Sequence, residues 1–299
     1  MHRLIPVLAV LLIASCAGSP GRATTASNSP GTTSEVTTSP VTTTPVTTSP
    51  IGGGTAPDGT TATVDTVFDG DSMLVTIGGV TDEVRMLGIN APENGECFAD
   101  RARDLLLAMA GGEVTLIGAE RDQYDRRLAY VYVGETNLNE EMIRAGGAIA
   151  MSDDHPLRSD FIAAEQDATL RGIGLWAPAA CGSVTAERTV AIWTVEADAP
   201  GRDDENPNGE YVVLGNSGDT VDLTGWVLRD ESSVHRYPFP DGFEIGPGAF
   251  VDIRSGCGAD TPTELYWCAG GSVWNNAGDT AFLLDANGTF VSRFRYIDE

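Results

Sequence analysis

The chain has 299 residues and a formal net charge of −25, and all 18 of its basic residues are arginine. Broad adhesion to nucleic acid needs a cationic face to coat phosphates, so this balance excludes it. With no lysine there is no Schiff-base, Walker or kinase-type chemistry, and three histidines, His2, His155 and His235, are too few for a multi-histidine zinc site. Carboxylates, arginines and a hard metal remain, and the length together with 41% hydrophobic residues gives room for two cores.

Residues 1–16 open with Met1-His2-Arg3, run through apolar Leu4 to Ile13 and close on Ala14-Ser15-Cys16. A positive start, an apolar run too short to span a bilayer and small residues before a cleavage point read as a signal peptide. Leu12-Ile13-Ala14-Ser15-Cys16 resembles the bacterial lipobox, which implies that Cys16 is lipidated; a cleaved signal with a chance cysteine is the alternative. Residues 17–57 are mostly Ser, Thr, Pro and Gly, with a short repeat over Val36 to Pro50. Such a stretch forms no core. Extended at about 3.1 Å per residue it is a stalk reaching on the order of 100 Å. The expected location is therefore the bacterial cell surface or beyond, with the lipid as the sole membrane contact. Export implies oxidising surroundings, so Cys97, Cys181, Cys257 and Cys268 are expected to pair. Of three possible connectivities, two bridges within domains are expected, Cys97–Cys181 and Cys257–Cys268.

A first globular domain is expected over 58–183. Thr63 to Phe68 and Met73 to Ile77 read as strands around the turn Asp69-Gly70-Asp71-Ser72, and Thr81 to Ile89 as a third strand. Ala99 to Ala110 has helical spacing and stops at Gly111-Gly112. Glu113 to Gly118 and Leu128 to Val133 add strands, and Leu138 to Arg144 and Leu157 to Arg171 add helices. Short strands interleaved with helices suggest an OB-fold barrel, an α+β architecture.

Three segments carry chemistry: Asp69-Gly70-Asp71-Ser72, Arg85 through Asn90-Ala91-Pro92-Glu93, and Asp122 through Tyr124-Asp125-Arg126. Carboxylates, an amide and two arginines at strand ends suit phosphodiester hydrolysis. Oxygen ligands take Ca²⁺ or Mg²⁺, a carboxylate deprotonates water, and guanidinium groups grip a phosphate whose charge rises in the transition state. Taken singly, each has a plainer explanation: a hairpin turn at Asp69-Gly70, a helix start at Pro92-Glu93, a surface ion pair at Arg126.

Together and in this order, the segments resemble the staphylococcal-nuclease (thermonuclease) family from about Thr60 to Trp176, including Leu138-Asn139, Arg144-Ala145-Gly146 and Gly174-Leu175-Trp176. The resemblance implies an OB barrel with helices and Ca²⁺-dependent hydrolysis of DNA and RNA at the P–O5′ bond. It implies Asp71 as a metal ligand, with Asn90 and the backbone carbonyl of Ala91 completing the site. It implies Glu93 as the base that activates water, and Arg85 and Arg126 as the phosphate clamp. Three departures stand out. Asn90 replaces an aspartate ligand and should weaken Ca²⁺ binding. Asp125 replaces a glycine, at some backbone strain, and could hold Arg127 or compete for Arg126. The loop from Ala150 to Pro156 is short and has no tyrosine on which a base could stack.

A second domain is expected over 190–299. Val190 to Val195, Glu210 to Asn216, Gly225 to Arg229, Phe250 to Ile253, Thr280 to Asp285 and Phe290 to Arg295 are short alternating runs between turn residues, as a β-sandwich requires. Glu210 to Asn216, Val221 to Trp226, Ile245 to Gly248, Leu265 to Trp267 and Val273 to Thr280 resemble the bacterial lamin-tail domain, which implies an immunoglobulin-like sandwich. Trp226, Trp267 and Trp274 are either a recognition surface or, more commonly, core. Asp203-Asp204-Glu205 is either a Ca²⁺ loop or a solvated acidic turn. No nucleophile set appears, so a binding or accessory role is expected, without a ligand that the residues identify. The whole reads as a surface-tethered, monomeric nuclease. A nuclease barrel silenced by Asn90 and Asp125 and serving as an adhesin or nucleic-acid-binding module is the alternative.

Overall fold

The computed structural model describes residues 57–182, 189–202, 205–232 and 234–297. The expected leader with Cys16, nearly all of the stalk, and Asp203-Asp204 lie outside the described residues.

The first lobe begins with β1 (Thr60–Val67), β2 (Ser72–Ile77) and β3 (Val80–Met86). Gly78 and Gly79 join β2 to β3 with φ of 56° and 89°, the two left-handed positions that a tight hairpin turn needs. After β4 (Ile89–Asn90) come α1 (Ala99–Ala110), β5 (Glu113–Ile117), β6 (Arg127–Val133), β7 (Thr136–Asn137), α2 (Leu138–Arg144), β8 (Ile149–Ala150) and α3 (Arg158–Arg171). The sheet runs β3-β2-β1-β5-β6, and parallel pairing of β3 with β6 closes it into a five-stranded barrel.

Two features differ from the sequence reading. The expected strand Thr81 to Ile89 ends at Met86, because Gly88 turns the chain at φ 72° with the His155 ring packed where a side chain would stand. The chain then resumes as β4, which pairs with β8. Pro92-Glu93 begins no helix; α1 starts only at Ala99. At seven residues α2 is too short to persist alone. Leu138, Met142 and Ile143 hold it by burial, at roughly 1.5–3 kcal/mol each. The buried Asn139 pins it further, donating to the Leu87 carbonyl and accepting from the Val131 N–H, both at 2.9 Å.

The second lobe is all-β, as expected. β9 (Val190–Glu196) is followed by β10 (Tyr211–Asn216), β11 (Val221–Asp222), β12 (Val227–Arg229), β13 (Arg236–Pro238), β14 (Glu244–Ile245), β15 (Phe250–Arg254), β16 (Glu264–Tyr266), β17 (Gly278–Leu284) and β18 (Phe290–Ile297). Two four-stranded sheets, β16-β15-β10-β9 and β13-β12-β17-β18, enclose a core that includes Leu214, Leu223, Trp226 and Trp274. Trp267 packs edge-on against Trp274. These tryptophans are core, not a recognition surface; the exposed aromatic pair is Trp193 with Phe250.

β17 is buried along its whole length. Side chains alternate across a strand, so Ala281 and Leu283 enter the sandwich core while Phe282 and Leu284 join Ile149, Leu175, Trp176 and Phe290 in a cluster shared with the first lobe. Beside it, the fully buried Glu165 of α3 accepts from Arg293 at 2.6 Å and from Arg295 at 2.9 Å. Removing one partner of a buried ion pair leaves uncompensated charge. Glu165→Ala is therefore expected to cost about 3 kcal/mol in urea unfolding, and a change below about 1 kcal/mol would contradict this account.

Asp279 at the start of β17 lies near Glu231 and Asp230. Burial and these charges push its carboxyl from 3.8 up to about 8, against hydrogen bonds from the Thr280 and Asn275 N–H groups. An acid with a higher pKa folded than unfolded binds protons on folding. Its stabilisation is full below pH 3.8 and lost as pH rises through about 8. Asp279→Asn should flatten the decline of unfolding free energy between these pH values; slopes identical to wild type would contradict the assignment.

Candidate active site

Gly70 brings the β1–β2 connection against α1, since a side chain there would meet Ala91 and Ala102 at under 3 Å. The Asp69 carboxylate accepts the Asp71 N–H at 2.9 Å, which turns Asp71 inward. Asp71 is buried and accepts from Ser72 Oγ at 2.8 Å and from the Ala91 N–H at 2.6 Å. Burial pushes its carboxyl up to about 6, with Arg85 pulling the other way.

Arg85, near the end of β3, gathers these groups. Its Nη1 reaches Asp71 Oδ2 at 3.1 Å and the carbonyls of Met86 and Ile89 at 3.0 and 2.9 Å, and its Nη2 reaches Asn90 Oδ1 at 2.9 Å. Asn90 Nδ2 in turn donates to the Glu231 carbonyl of the second lobe at 3.0 Å. The Asp71 carboxylate and the Asn90 amide oxygen thus converge on one guanidinium, and Ala91 follows directly. Among the described residues no three His, Cys, Asp or Glu side chains gather as a metal site. A cation here would rely on one carboxylate plus neutral oxygens. That set fits Ca²⁺, which accepts amide, carbonyl and water oxygens alongside carboxylates.

Glu93 is an exposed residue just past Pro92. Partial burial of its carboxyl pushes its pKa up, Asp69 and Glu96 add to this, and Arg85 and Arg126 oppose it. Both arginines therefore lie within electrostatic reach of Glu93. The barrel closure explains why: β3 and β6 run parallel with Arg85 opposite Leu128, shortly after Arg126. Arg126 is held by Asp122, whose Oδ2 accepts from Nε at 2.8 Å and Nη2 at 2.7 Å, and its guanidinium lies 5.4 Å from the exposed Tyr124 ring. Asp122 opens the third motif segment without a role legible in the sequence, because no local signal distinguishes it from a turn residue.

Asp125 takes neither partner expected of it. It pairs with Arg121, while Arg127 pairs with Asp82 and Arg126 with Asp122. Its φ of 66° lies in the left-handed region, which glycine occupies freely and aspartate at modest cost. The chain forms both Cys97–Cys181 and Cys257–Cys268.

Comparison with known proteins places these segments. Residues 83–178 match the family model for Staphylococcal nuclease homologue, and residues 183–298 match that for the Lamin Tail Domain. A micrococcal nuclease of Shigella flexneri is 33% identical over 121 residues, covering 37% of this chain and 70% of that protein. An uncharacterized endonuclease of Haemophilus influenzae is 33% identical over 121 residues, covering 39% of this chain and 66% of its own length. The SPbeta prophage-derived endonuclease YokF of Bacillus subtilis is 31% identical over 130 residues, 38% of this chain and 43% of its own. The chain thus spans about two thirds of the first two relatives and less than half of the third.

Asp125→Gly should leave urea-unfolding stability unchanged or raise it by up to about 1 kcal/mol, and Asp125→Val should lower it by about 1–2 kcal/mol. A glycine variant less stable than wild type by more than about 1 kcal/mol would show that pairing with Arg121 outweighs backbone strain.

Proposed function

Because the chain belongs to the staphylococcal nuclease homologue family, with a lamin tail domain behind the nuclease domain, we propose that it hydrolyses DNA and RNA with Ca²⁺ outside the cell, cutting the P–O5′ bond. The observation that carries the reading is the gathering of Asp71 and Asn90 on Arg85, with the Ala91 N–H on the Asp71 carboxylate and Glu93 and Arg126 within electrostatic reach at the same barrel edge. An extracellular location is supported by the signal pattern, the Ser/Thr/Pro-rich stalk and two disulfides, and tethering by the lipobox resemblance at Cys16.

In this reading Asp71, Asn90 Oδ1 and the Ala91 carbonyl would hold Ca²⁺. Bound there, the ion supplies positive charge that offsets the phosphate's own and adds to its polarisation. Glu93 takes a proton from the attacking water at its carboxylate oxygen. Its exposure keeps it open to solvent water, and its raised pKa makes it a better base than an ordinary glutamate. Arg85 and Arg126 bind non-bridging phosphate oxygens and neutralise the charge that grows as the fifth bond forms. Asp122 engages Arg126 through Nε and Nη2, and Nη1 is the group proposed to meet the phosphate. A formal charge of −25 makes these arginines the principal attraction for a polyanion, so the proposed binding is local and held by few contacts.

A fluorescence assay on labelled DNA and RNA with and without millimolar Ca²⁺ tests this. Cleavage should require Ca²⁺, stop with a chelator, and fall by at least about a hundredfold in Glu93→Ser and in Arg126→Gly. Wild-type cleavage untouched by chelator would overturn the metal assignment. Absence of cleavage under all conditions would leave the silenced barrel as the correct reading.

A further inference from the structure

The proposed catalytic groups all lie in the first lobe, yet the hairpin β12–β13 of the lamin-tail lobe reaches them. We infer that Arg236 in this hairpin is a positioning residue for Glu93, acting through Glu96; the inference rests on the nuclease reading above.

Glu96 uses both carboxylate oxygens. Oε1 accepts from Arg236 Nη1 at 2.5 Å, and Oε2 accepts from the backbone N–H of Glu93 at 3.1 Å. The Glu96 N–H closes the turn by donating to the Glu93 carbonyl at 2.8 Å. The four-residue turn that presents the general base is therefore gripped at its first residue by a side chain whose other end is held from across the lobe interface. The next residue, Cys97, is bonded to Cys181, and Gly288 of the second lobe packs against the Cys97 Cβ. Arg236, Glu96 and Pro92 are among the residues that line an interlobe cleft of about 290 Å³.

The same hairpin makes a second approach. The Glu231 carbonyl accepts from Asn90 Nδ2, and Asn90 Oδ1 accepts from Arg85. An aspartate at 90 has no hydrogen to donate and would set a carboxylate oxygen against the carbonyl oxygen, which gives a physical reason for the amide in this chain. Glu231 is itself fixed, its buried carboxylate accepting the Ser152 N–H at 2.6 Å. One hairpin thus approaches the site along two hydrogen-bonded paths, one toward the base and one toward the phosphate clamp.

A contact that only glues the lobes together would affect stability; one that positions Glu93 would affect turnover. Displacing a catalytic group by about 1 Å costs up to a hundredfold in rate. The test uses the full chain at saturating Ca²⁺ on a defined oligonucleotide, comparing wild type, Arg236→Ala, Arg236→Lys and Glu96→Gln/Arg236→Ala, with melting temperature measured for each. Arg236→Ala should lower kcat about tenfold with KM changed by less than about twofold. Arg236→Lys should recover most of the loss, and the double variant should lose little beyond Arg236→Ala. Undiminished kcat in Arg236→Ala, or a loss that follows melting temperature and vanishes in a cooler assay, would overturn the positioning role while leaving the nuclease reading intact. A wild-type protein that cleaves nothing would overturn both.

Discussion

The site is assembled on the Arg85 guanidinium. Four acceptors from three segments meet it: the buried Asp71 carboxylate, the Met86 and Ile89 carbonyls, and the Asn90 amide oxygen. Without a cation there, Asp71 would be an uncompensated buried charge, and its carboxyl already sits near 6 even with Arg85 beside it. The β1–β2 connection, the end of β3 and the β4 turn would each lose the partner that fixes them. In a chain with no lysine this duty falls to arginine, whose planar fork can face several oxygens at once.

Around that point the two lobes divide the work unevenly. The first lobe supplies the proposed chemistry, with barrel closure through β3 and β6 setting Arg85 and Arg126 on the same edge. The described residues of the second lobe hold no comparable set, but its strand β17 is buried on both faces because Ala281 and Leu283 fill its own core while Phe282 and Leu284 fill the interface. Glu165 with Arg293 and Arg295 places charge beside that apolar contact, and the β12–β13 hairpin reaches the site itself. The interface therefore couples the lamin tail domain to the geometry of the proposed site in the first lobe.

Legibility in the sequence followed the range of the interactions. α1 could be read to its end residues because apolar spacing and the Gly111-Gly112 stop are local signals, and α2 lies where expected, over Leu138 to Arg144. Asp71, Arg85, Asn90, Glu93 and Arg126 were visible because each lies in a compact motif. The break at Gly88 was not, since it depends on the His155 ring from far along the chain. Nor was the Glu96–Arg236 link, whose partners lie 140 positions apart and look like ordinary surface charges. The partner of Asp125 was misread for a related reason: several arginines lie nearby, and only the turn geometry selects Arg121.

Arg85 is both the organiser of the site and, in the proposed mechanism, half of the phosphate clamp. The most direct test is the cleavage rate of Arg85→Ala against wild type at saturating Ca²⁺ on the same DNA substrate, with folding verified by circular dichroism. A fall of at least about a hundredfold in a folded variant is the expected result; a folded variant cleaving at the wild-type rate would contradict it.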